Sequence, residues 1–560
     1  MGERKGEQKA SQKLLVKAVK STIEVIKEES PDPMSVMTNS GRIQVRWDKN
    51  AKSTTMGQLI FFAQFLGVAG VFERWLERCP LHYSSGNASK LRDILGTWML
   101  SILGGHSRYA HIAGLRGDAV APSLLGMEKI ISDEALRRAL KVIAPAPNEA
   151  HDEAQKQAQQ AQLHLAKKWM QDMLFDSVQN AFEQDWILDI DPTVKVLYGN
   201  QSGAEIGYNP KKPGRPSHTI HTYWISVLRL VIGAEIADGK SGSAAHSLPG
   251  LLAILARLLP TQRPKLIRGD CAFGNEGVML ALEEIDQPYL FKLKQTANVK
   301  RLVEKEWIEQ NSWSDAGQGW EACDDRLQLN GWTKLRRVIV MRRAIKGELV
   351  VETKAKKLGR KKLQESEEVV QKSLAFLDRN GTMKIYEYVV LVSNSTYKAA
   401  AMGQLYRDRA DCENGFDELK NQWGWGGFST QDMERSNLTA QAVGLVYNWW
   451  SWYCRLAHPK GRLEAITSRP LLLAAVGKIT EHAGQKNLLL TITHAAASQV
   501  KALVAHIQTG LESIRSTTPQ FTPIERWKAL THYILQKIIA AAQEKANHAH
   551  APPSQSALPA

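Results

Sequence analysis

The sequence predicts a mixed α/β fold, with a sheet-based core between two helical regions. Three strand patterns cover residues 186–191, 193–198 and 219–235, and alternating helical and strand patterns then continue to residue 294. Several strands followed by such alternation are typical of a mixed sheet covered by helices. Helical periodicity prevails on either side of this region.

The N-terminal part of the chain divides into an arm and a helical region. Residues 1–45 are polar and rich in Lys, Glu and Ser, which predicts a flexible arm. Residues 46–150 carry apolar side chains at helix spacing, broken at Gly104-Gly105. In a basic chain we expect this region to bind DNA ends, with a plain helical scaffold as the alternative. Residues 144–165, rich in Ala, Gln and Glu, are a linker or an exposed helix.

The first part of the core is predicted over residues 165–297. Alternation in the strand at residues 186–191 places Asp189 and Asp191 on one face, and Pro192 is expected to end it. Next come a helix (248–259), a strand that ends at Asp270 (265–270), a helix (277–284) and a strand (289–294).

A β-rich insertion is predicted over residues 298–386, because isolated tryptophans and charged turns replace the α/β pattern there. Its tip is the basic segment at residues 354–362. The core resumes over residues 387–460, with a strand at 386–393 and a single helix at 406–420. Residues 461–546 are predicted to be a helical C-terminal module, and residues 547–560 a disordered tail.

Composition points to a polyanionic partner. The chain has 560 residues, 72 Lys and Arg against 57 Asp and Glu, a net charge of +15 and a pI of about 9.4. No apolar run is long enough to span a bilayer, and the N-terminus lacks the apolar stretch of a signal peptide. The five cysteines form no Cys-x-x-Cys pair, so we expect neither disulfides nor a zinc knuckle and place the protein in a reducing cytoplasm.

Four polar residues form a stripe on the predicted helix at residues 406–420. Tyr406, Arg409, Glu413 and Lys420 fall within roughly a 60° arc at helical periodicity. A hydroxyl, a guanidinium, a carboxylate and an ammonium on one stripe suit phosphate or metal chemistry. The alternative is an ion-paired helix face in solvent.

Three acids on separate elements are candidates for one site: Asp191, Asp270 and Glu413. If strand ends and helix converge, the clustered charge requires a cation, and oxygen-only ligands favour Mg²⁺ or Mn²⁺. Two such ions, about 3.5–4 Å apart, promote in-line phosphodiester displacement. The alternative is that each acid merely ends a strand or faces solvent, and Asp189 competes with Asp191 as the first ligand.

The spacing of these residues resembles bacterial Asp-Asp-Glu (DDE) transposases of the insertion-sequence type, whose Tyr-Arg-Glu-Lys signature has two, three and six intervening residues. Tyr406, Arg409, Glu413 and Lys420 match every gap. The segments at 188–193 and 267–273 resemble the first-acid and second-acid strands of the family, as does the loop at 207–217. The likeness covers roughly residues 50–460, and Pro192 departs from the Ser or Gly expected there.

The resemblance implies a ribonuclease-H-like core interrupted by the β-rich insertion, with Asp191, Asp270 and Glu413 holding two Mg²⁺ or Mn²⁺ ions. Arg409 and Lys420 would contact DNA phosphates, and Tyr406 would position a phosphate or distorted nucleotide near the cut. Water would release a 3′-hydroxyl, which would attack the opposite strand or target DNA. The implied partners are the terminal inverted repeats, target DNA and a second copy of the chain in a synaptic homodimer, at the bacterial nucleoid.

Further DNA contacts are predicted at Arg215, Lys292 and Lys294. The segment at 213–216 is similar to an AT-hook core, but we favour a turn that contacts a backbone phosphate. Four tryptophans are candidates for stacking on a flipped base, with core packing as the alternative for each: Trp307, Trp313, Trp320 and Trp332. The rival functions are a metal-dependent nuclease without strand transfer and a non-catalytic DNA-binding regulator.

Overall fold

The computed structural model describes residues 33–48, 51–83, 85–146, 150–209, 212–241, 243–308, 313–344, 374–377, 383–491 and 496–549. The α-helices are α1 (Leu59–Ala69), α2 (Val71–Glu77), α3 (Leu91–Leu103), α4 (Ala121–Leu124), α5 (Asp133–Ile143), α6 (Glu153–Val178), α7 (Ser243–Ala256), α8 (Glu276–Glu284), α9 (Ala297–Ile308), α10 (Ala399–Arg407), α11 (Ala410–Gln422), α12 (Met433–Ala457), α13 (Ala465–Leu472), α14 (Ala497–Thr517) and α15 (Pro523–Ala549). The strands are β1 (Met34–Thr38), β2 (Gly41–Val45), β3 (Ser53–Thr54), β4 (Ile187–Val196), β5 (Glu205–Ile206), β6 (Pro216–Ile225), β7 (Leu230–Asp238), β8 (Leu266–Gly269), β9 (Tyr289–Lys292), β10 (Ser314–Asp315), β11 (Trp320–Leu327), β12 (Arg336–Ala344), β13 (Leu374–Leu377), β14 (Met383–Ser393), β15 (Gly477–His482) and β16 (Gln485–Leu490).

A large mixed sheet dominates the fold, as the sequence predicts. Its strand order is β10-β11-β12-β14-β9-β8-β4-β6-β5, with β7 paired to β6 and β13 to β14. Strand β4 is parallel to β8 and antiparallel to β6, and β8 is parallel to β9. The parallel strands therefore all end at the same edge of the sheet, where Asp270 follows β8.

Pro192 does not end the first strand, which corrects the prediction of two separate strands. Strand β4 continues through Pro192 to Val196 and stays paired with β6 along that length. Its pairing with β8 ends earlier, at Ile190–Gly269. The missing N–H of Pro192 can therefore face the side where no neighbouring strand needs it, as proline in a strand requires.

The predicted insertion is β-rich, but its strands extend the same sheet. Strand β14 pairs with β9, and β12 and β11 follow outward from β14. The insertion opens with helix α9, which the strand prediction missed. The predicted basic tip at residues 354–362 lies outside the described residues.

Helix α12 covers the free edge of β7. Asn448 accepts a hydrogen bond from the Val231 backbone N–H at 2.9 Å and donates to the Val231 carbonyl at 2.7 Å. Gln441 donates to the Ala234 carbonyl at 3.1 Å. These amides lie seven residues apart on one face of the helix, and they satisfy backbone groups that an edge strand otherwise leaves unpaired.

The N-terminal and C-terminal helices share one hydrophobic core with the sheet. Phe62 of α1 packs edge-on against Trp450 of α12 at 5.2 Å between ring centroids. Phe65 of α1 packs against Trp527 of α15 at 6.1 Å. The two helical regions that flank the sheet in sequence are therefore in contact with each other in the fold.

Two hairpins depart from the predicted arm and C-terminal module. The part of the arm that is described forms the β1–β2 hairpin, whose residues are mostly exposed. The C-terminal region contains the β15–β16 hairpin, and β15 pairs with β3. The sequence on both sides of this hairpin has helical periodicity, so the sequence predicts that the whole region is helical. Residues 1–32 of the arm and 550–560 of the tail lie outside the described residues.

Across the described part of the chain, no single helix has the length and apolar character needed to cross a membrane. The bent pair α1 and α2 meets both criteria only when the two helices are taken together, with a 66° bend between them. Many of its side chains, including Phe62, Phe65 and Trp75, are buried in the protein core.

Candidate active site

The parallel register of β4 and β8 places the first two predicted acids side by side. Asp189 is paired with Arg268, and Ile190 with Gly269. Asp191 is the next residue of β4, and Asp270 is the residue that follows β8. Alternation places Asp191 on the same face as Asp189, and Asp270 lies close enough for its charge to raise the pKa of Asp191. The convergence predicted for these two strands is thus built into their register.

Asp189 is committed to a buried ion pair with Arg268. The Arg268 guanidinium donates from Nε to Asp189 Oδ1 at 2.7 Å and from Nη2 to Oδ2 at 2.8 Å. Both side chains are almost fully buried. A two-point pair of this kind leaves Asp189 little capacity to serve as a metal ligand, which favours Asp191 over its rival.

Arg268 also connects the sheet to the helix that carries Tyr406. Its Nη2 donates to Ser226 Oγ at 2.6 Å, and its Nη1 donates to the backbone carbonyl of Leu405. One guanidinium therefore holds β4, the end of β6 and α10 in fixed relation. Sequence reasoning missed Arg268, although its position two residues before Asp270 mirrors that of Asp189 before Asp191.

The segment 406–420 is not one helix, which corrects the prediction. Helix α10 ends at Arg407 and α11 begins at Ala410. The Arg409 N–H bonds to the carbonyl of Tyr406 at 3.1 Å instead of that of Leu405. Because Arg268 occupies the Leu405 carbonyl, a contact distant in sequence accompanies the break, and helical periodicity alone could not predict it.

Arg409 lies between the first and third predicted acids. Its Nη2 donates to Asp191 Oδ1 at 2.6 Å, and its Nη1 lies 3.7 Å from Glu413 Oε1. Burial alone would lower the pKa of the guanidinium, but Asp191 and Tyr406 more than offset it and hold that pKa above its usual range. Arg409 is therefore a permanent cation inside the site.

The Asp191 carboxyl experiences an excess of negative charge. Burial raises its pKa to about 7, Arg409 opposes this shift, and Asp270 and Glu413 add to it. Burial likewise raises the pKa of Tyr406 to about 12, with further contributions from Asp270 and Asp191. The charges of Asp270 and Glu413 thus act on Asp191, those of Asp270 and Asp191 act on Tyr406, and Tyr406 keeps its proton as a hydrogen-bond donor.

The acids fit a divalent cation by chemistry, but their present positions do not form a closed ligand set. Carboxylate oxygens are the donors that Mg²⁺ and Mn²⁺ prefer, and the raised pKa of Asp191 marks a place where another positive charge is favourable. Within the described ranges, however, no three His, Cys, Asp or Glu side chains are grouped closely enough to hold a metal. Glu413 is largely exposed, and Arg409 occupies one oxygen of Asp191.

Helix α11 packs against the sheet at Gly415. A Cβ atom added at Gly415 would lie 2.4 Å from the ring of Trp224, which is fully buried on β6. Trp224 is paired with Asp189 across β4 and β6. Glycine therefore permits a close approach that brings Glu413 towards Asp191, a role that no sequence motif indicates.

The other residues predicted to contact DNA differ in their distance from the three acids. Gly269 is paired with Phe291, so Lys292 lies beside Asp270, and the exposed Lys294 follows at the same sheet edge. Lys420 is half-buried on α11. Arg215 is exposed in a turn before β6, away from the acids.

The candidate stacking tryptophans lie against the protein. Trp320 and Trp332 are less than a tenth exposed. Each of three rings contacts an arginine guanidinium. Arg342 lies 3.9 Å from the ring centroid of Trp313. Arg343 lies 4.9 Å from that of Trp320, and Arg336 lies 5.3 Å from that of Trp332. This packing supports a structural role for the three; the side chain of Trp307 lies outside the described atoms.

Comparison with known proteins gives one family. The family model described as "Transposase DDE domain group 1" matches residues 64–511, a span that contains all three acids. No curated protein matches the sequence. Among solved structures, the fold is similar to a piggyBac transposase in a synaptic complex with hairpin DNA, at 11% identity and a TM-score of 0.33, covering 91% of this chain and 88% of that one. The span matched by the family model runs from α1 to α14 and is most of the chain.

Proposed function

The chain belongs to the DDE transposase family, and we propose that it catalyses cut-and-paste movement of a bacterial insertion sequence. In this proposal it cleaves at the terminal inverted repeats of the element and joins the resulting 3′-hydroxyl ends to target DNA. The observation that carries the proposal is the placement of Asp191 and Asp270 directly after the paired segments of the parallel strands β4 and β8, with the charges of Asp270 and Glu413 acting on Asp191.

The strand arrangement supports a ribonuclease-H-like catalytic core. The sheet contains the consecutive order β7-β6-β4-β8-β9, antiparallel across the first three strands and parallel across the last three. The acids lie where the parallel strands end, which is where α/β sheets commonly bind ligands. The β-rich insertion would flank this edge through β14.

Asp191, Asp270 and Glu413 would hold the divalent ions, two Mg²⁺ or Mn²⁺ in each site. When bound, such ions activate a hydroxyl nucleophile and stabilise the leaving oxygen of a phosphodiester. Asp191 must then be ionised and at least partly released by Arg409. The freed guanidinium would lie within reach of a DNA phosphate, to which its planar fork is well matched.

Tyr406 and the lysines would orient the DNA. A protonated Tyr406 can donate to a phosphate oxygen near the scissile bond, since its pKa stays near 12. Lys292, beside Asp270, and Lys294, further along the same edge, would contact the backbone on one side of the site. Lys420, two helical turns after Glu413, would contact it on the other.

The proposed partners are double-stranded DNA and a second copy of the chain. Both ends of an element must be brought together before joining, so we propose a homodimer in the synaptic complex, acting at the nucleoid in the cytoplasm. The net charge of +15 supports a polyanionic partner.

The proposal is tested with DNA that flanks the reading frame. Short inverted repeats found there, bounded by direct repeats, supply the end duplexes for an assay with Mg²⁺. We expect Asp270→Ala to abolish cleavage and to leave end binding largely intact, because it removes a carboxylate and no phosphate contact. Asp417→Ala, an exposed acid on α11, is the control and should cleave like the parent.

Two outcomes would contradict the proposal. Equal cleavage by Asp270→Ala and the parent would refute the assignment of the acids. Cleavage without joined products, when the parent is given a pre-cut 3′-hydroxyl end and target DNA, would identify a nuclease instead of a transposase.

A further inference from the structure

The loop before β6 presents two cations on a defined turn. Lys212, Pro213, Gly214 and Arg215 form a tight turn, closed by a hydrogen bond from the Arg215 N–H to the Lys212 carbonyl at 3.2 Å. Gly214 has φ +78°, and proline precedes it. Pro followed by a glycine of positive φ is the signature of a type II turn, which brings its first and last residues together. The Pro-Gly pair between them therefore favours a turn in which Lys212 and Arg215 are neighbours.

An exposed tyrosine holds the two cations together. Tyr198 is 68% exposed, and its ring centroid lies 5.1 Å from Lys212 Nζ and 5.4 Å from the Arg215 guanidinium carbon. Lys212 also donates a hydrogen bond to the Tyr198 hydroxyl. Cation–π contact of this kind orients side chains that would otherwise move freely in solvent.

The charges of this group are available to a partner. Among the residues that the structure describes, no carboxylate lies within ion-pair distance of Lys212 or Arg215. The nearby Glu205 of β5 is paired with Lys240 at 3.1 Å. The cluster of Tyr198, Lys212 and Arg215 is therefore a net positive, solvent-facing surface, and we refer to it as the turn surface.

The turn surface is fixed relative to the acids. Tyr198 lies seven residues after Asp191, and β4 covers the chain as far as Val196, so the two residues are at most about 23 Å apart at the rise of an extended strand. The Ser202 N–H donates to the Gln431 carbonyl at 2.8 Å, and the Met433 N–H donates to Ser202 Oγ at 2.8 Å. These bonds attach the loop to the start of α12, so the distance to the site is set by packed elements.

We propose that the turn surface binds the phosphate backbone of the same DNA duplex whose end enters the acidic site. The inference rests on the proposed function and adds a second anchoring point, at most about 7 base pairs from the cut at ~3.4 Å per base pair. Backbone phosphates fit better than stacked bases, because two cations already lie on the tyrosine ring. The ammonium and the guanidinium fork provide donors for neighbouring phosphates.

The test measures how DNA affinity depends on salt. Full-length parent and the Lys212→Gln/Arg215→Gln variant are titrated with a 40-base-pair duplex between ~50 and ~200 mM KCl. Each lost phosphate contact lowers the slope of log K against log salt by about 0.9. We expect the double variant to lose about two units of slope, with single variants losing about one each. The control Lys478→Gln/Lys486→Gln removes the same charge from exposed positions on the β15–β16 hairpin and should keep the parent slope.

The outcomes separate this inference from the function on which it rests. A parent that does not bind DNA refutes both. A parent that binds, with the same slope in the double variant, refutes only the turn surface. An equal loss in the control pair also refutes it, because the effect would then be one of net charge. Circular dichroism melts of all variants should coincide with the parent, since the substituted side chains are exposed.

Ethylation interference adds a positional readout. On a duplex cut at one end, ethylation of phosphates within about 7 base pairs of the cut should block binding of the parent, and the double variant should lose part of this pattern. Persistence of the whole pattern in the double variant would assign these phosphates to another part of the protein.

Discussion

At the scale of single residues, the candidate site contains three acids whose negative charge is only partly balanced by one arginine, Arg409. Burial and the neighbouring Asp270 and Glu413 raise the pKa of Asp191 to about 7, against an ordinary value of 3.8. The ionised form is thus the unfavourable one in the folded protein, although it is the form that a metal requires. The chain tolerates this cost at the position where a cation would remove it.

The Asp191 shift predicts a specific pH dependence of stability. From about pH 4 to about pH 7 the unfolded chain has released the Asp191 proton while the folded chain retains it. The free energy of unfolding therefore falls across this window and stays lower above it. Asp191→Asn lacks this penalty, so its melting temperature relative to the parent should rise between pH 4.5 and pH 8, by on the order of 2 °C.

The difference in melting temperature between the parent and Asp191→Asn at each pH cancels the contribution of the other titrating groups, which both proteins share. Asp417→Asn, at an exposed position on α11, should differ from the parent by the same amount at both pH values. Adding Mg²⁺ at pH 8 should stabilise the parent more than Asp191→Asn, because binding to the folded state raises its stability. A melting difference that is flat with pH would show that Asp191 is not buried among like charges.

At the scale of elements, strands were easier to predict than their connections. Alternation and short apolar runs predict the first part of β4 and all of β8 and β9, and they make Asp191 and Asp270 candidates for one site. The break between α10 and α11 was missed because it coincides with the bond from Arg268 to Leu405, which is remote in sequence. The β-rich insertion was recognised by composition, yet its place in the central sheet depends on pairing that composition does not encode.

Arg268 should act as a positioning residue through the elements that it joins. Arg268→Met alone leaves Asp189 buried without its partner, which should cost about 3–5 kcal/mol of unfolding free energy. Asp189→Leu/Arg268→Met removes both charges and should recover most of that stability. Cleavage should stay impaired in the double variant, because Leu405 and Ser226 have lost their donor and the end of α10 has lost its hydrogen bond to β8.

Urea unfolding and end cleavage, measured on the same three proteins, separate the two effects. Arg268→Lys is the intermediate case, because it keeps the charge and loses the two-point geometry; it should recover cleavage only in part. A double variant that is as stable as the parent and cleaves at the parent rate would show that the ion pair serves stability alone.

At the scale of the whole molecule, the N-terminal and C-terminal helical regions pack into one hydrophobic core. The predicted helical modules flank the sheet in sequence, but α1, α12 and α15 meet in space. Trp527 packs on Phe65 and donates its indole N–H to the Asp176 carbonyl at 3.0 Å. Helical periodicity predicts the regions that contain α1 and α15 without showing which faces they share, because partners remote in sequence decide that.

A double-mutant cycle tests whether the terminal regions form one cooperative unit. Phe65→Leu and Trp527→Phe should each lower the unfolding free energy by about 1–3 kcal/mol. Together they should cost less than the sum, by up to about 0.5–1.5 kcal/mol, because Phe65→Leu removes the edge-on ring contact and the smaller ring of Trp527→Phe weakens it.

The matched control combines Phe65→Leu with Trp332→Phe, a buried ring in the insertion that has no ring contact with Phe65 among the described residues. This pair should be additive within about 0.5 kcal/mol. Additivity for Phe65 and Trp527 as well would mean that the two regions contribute independently to stability. Coupling would instead show that the N-terminal and C-terminal helical regions stabilise each other through this ring contact.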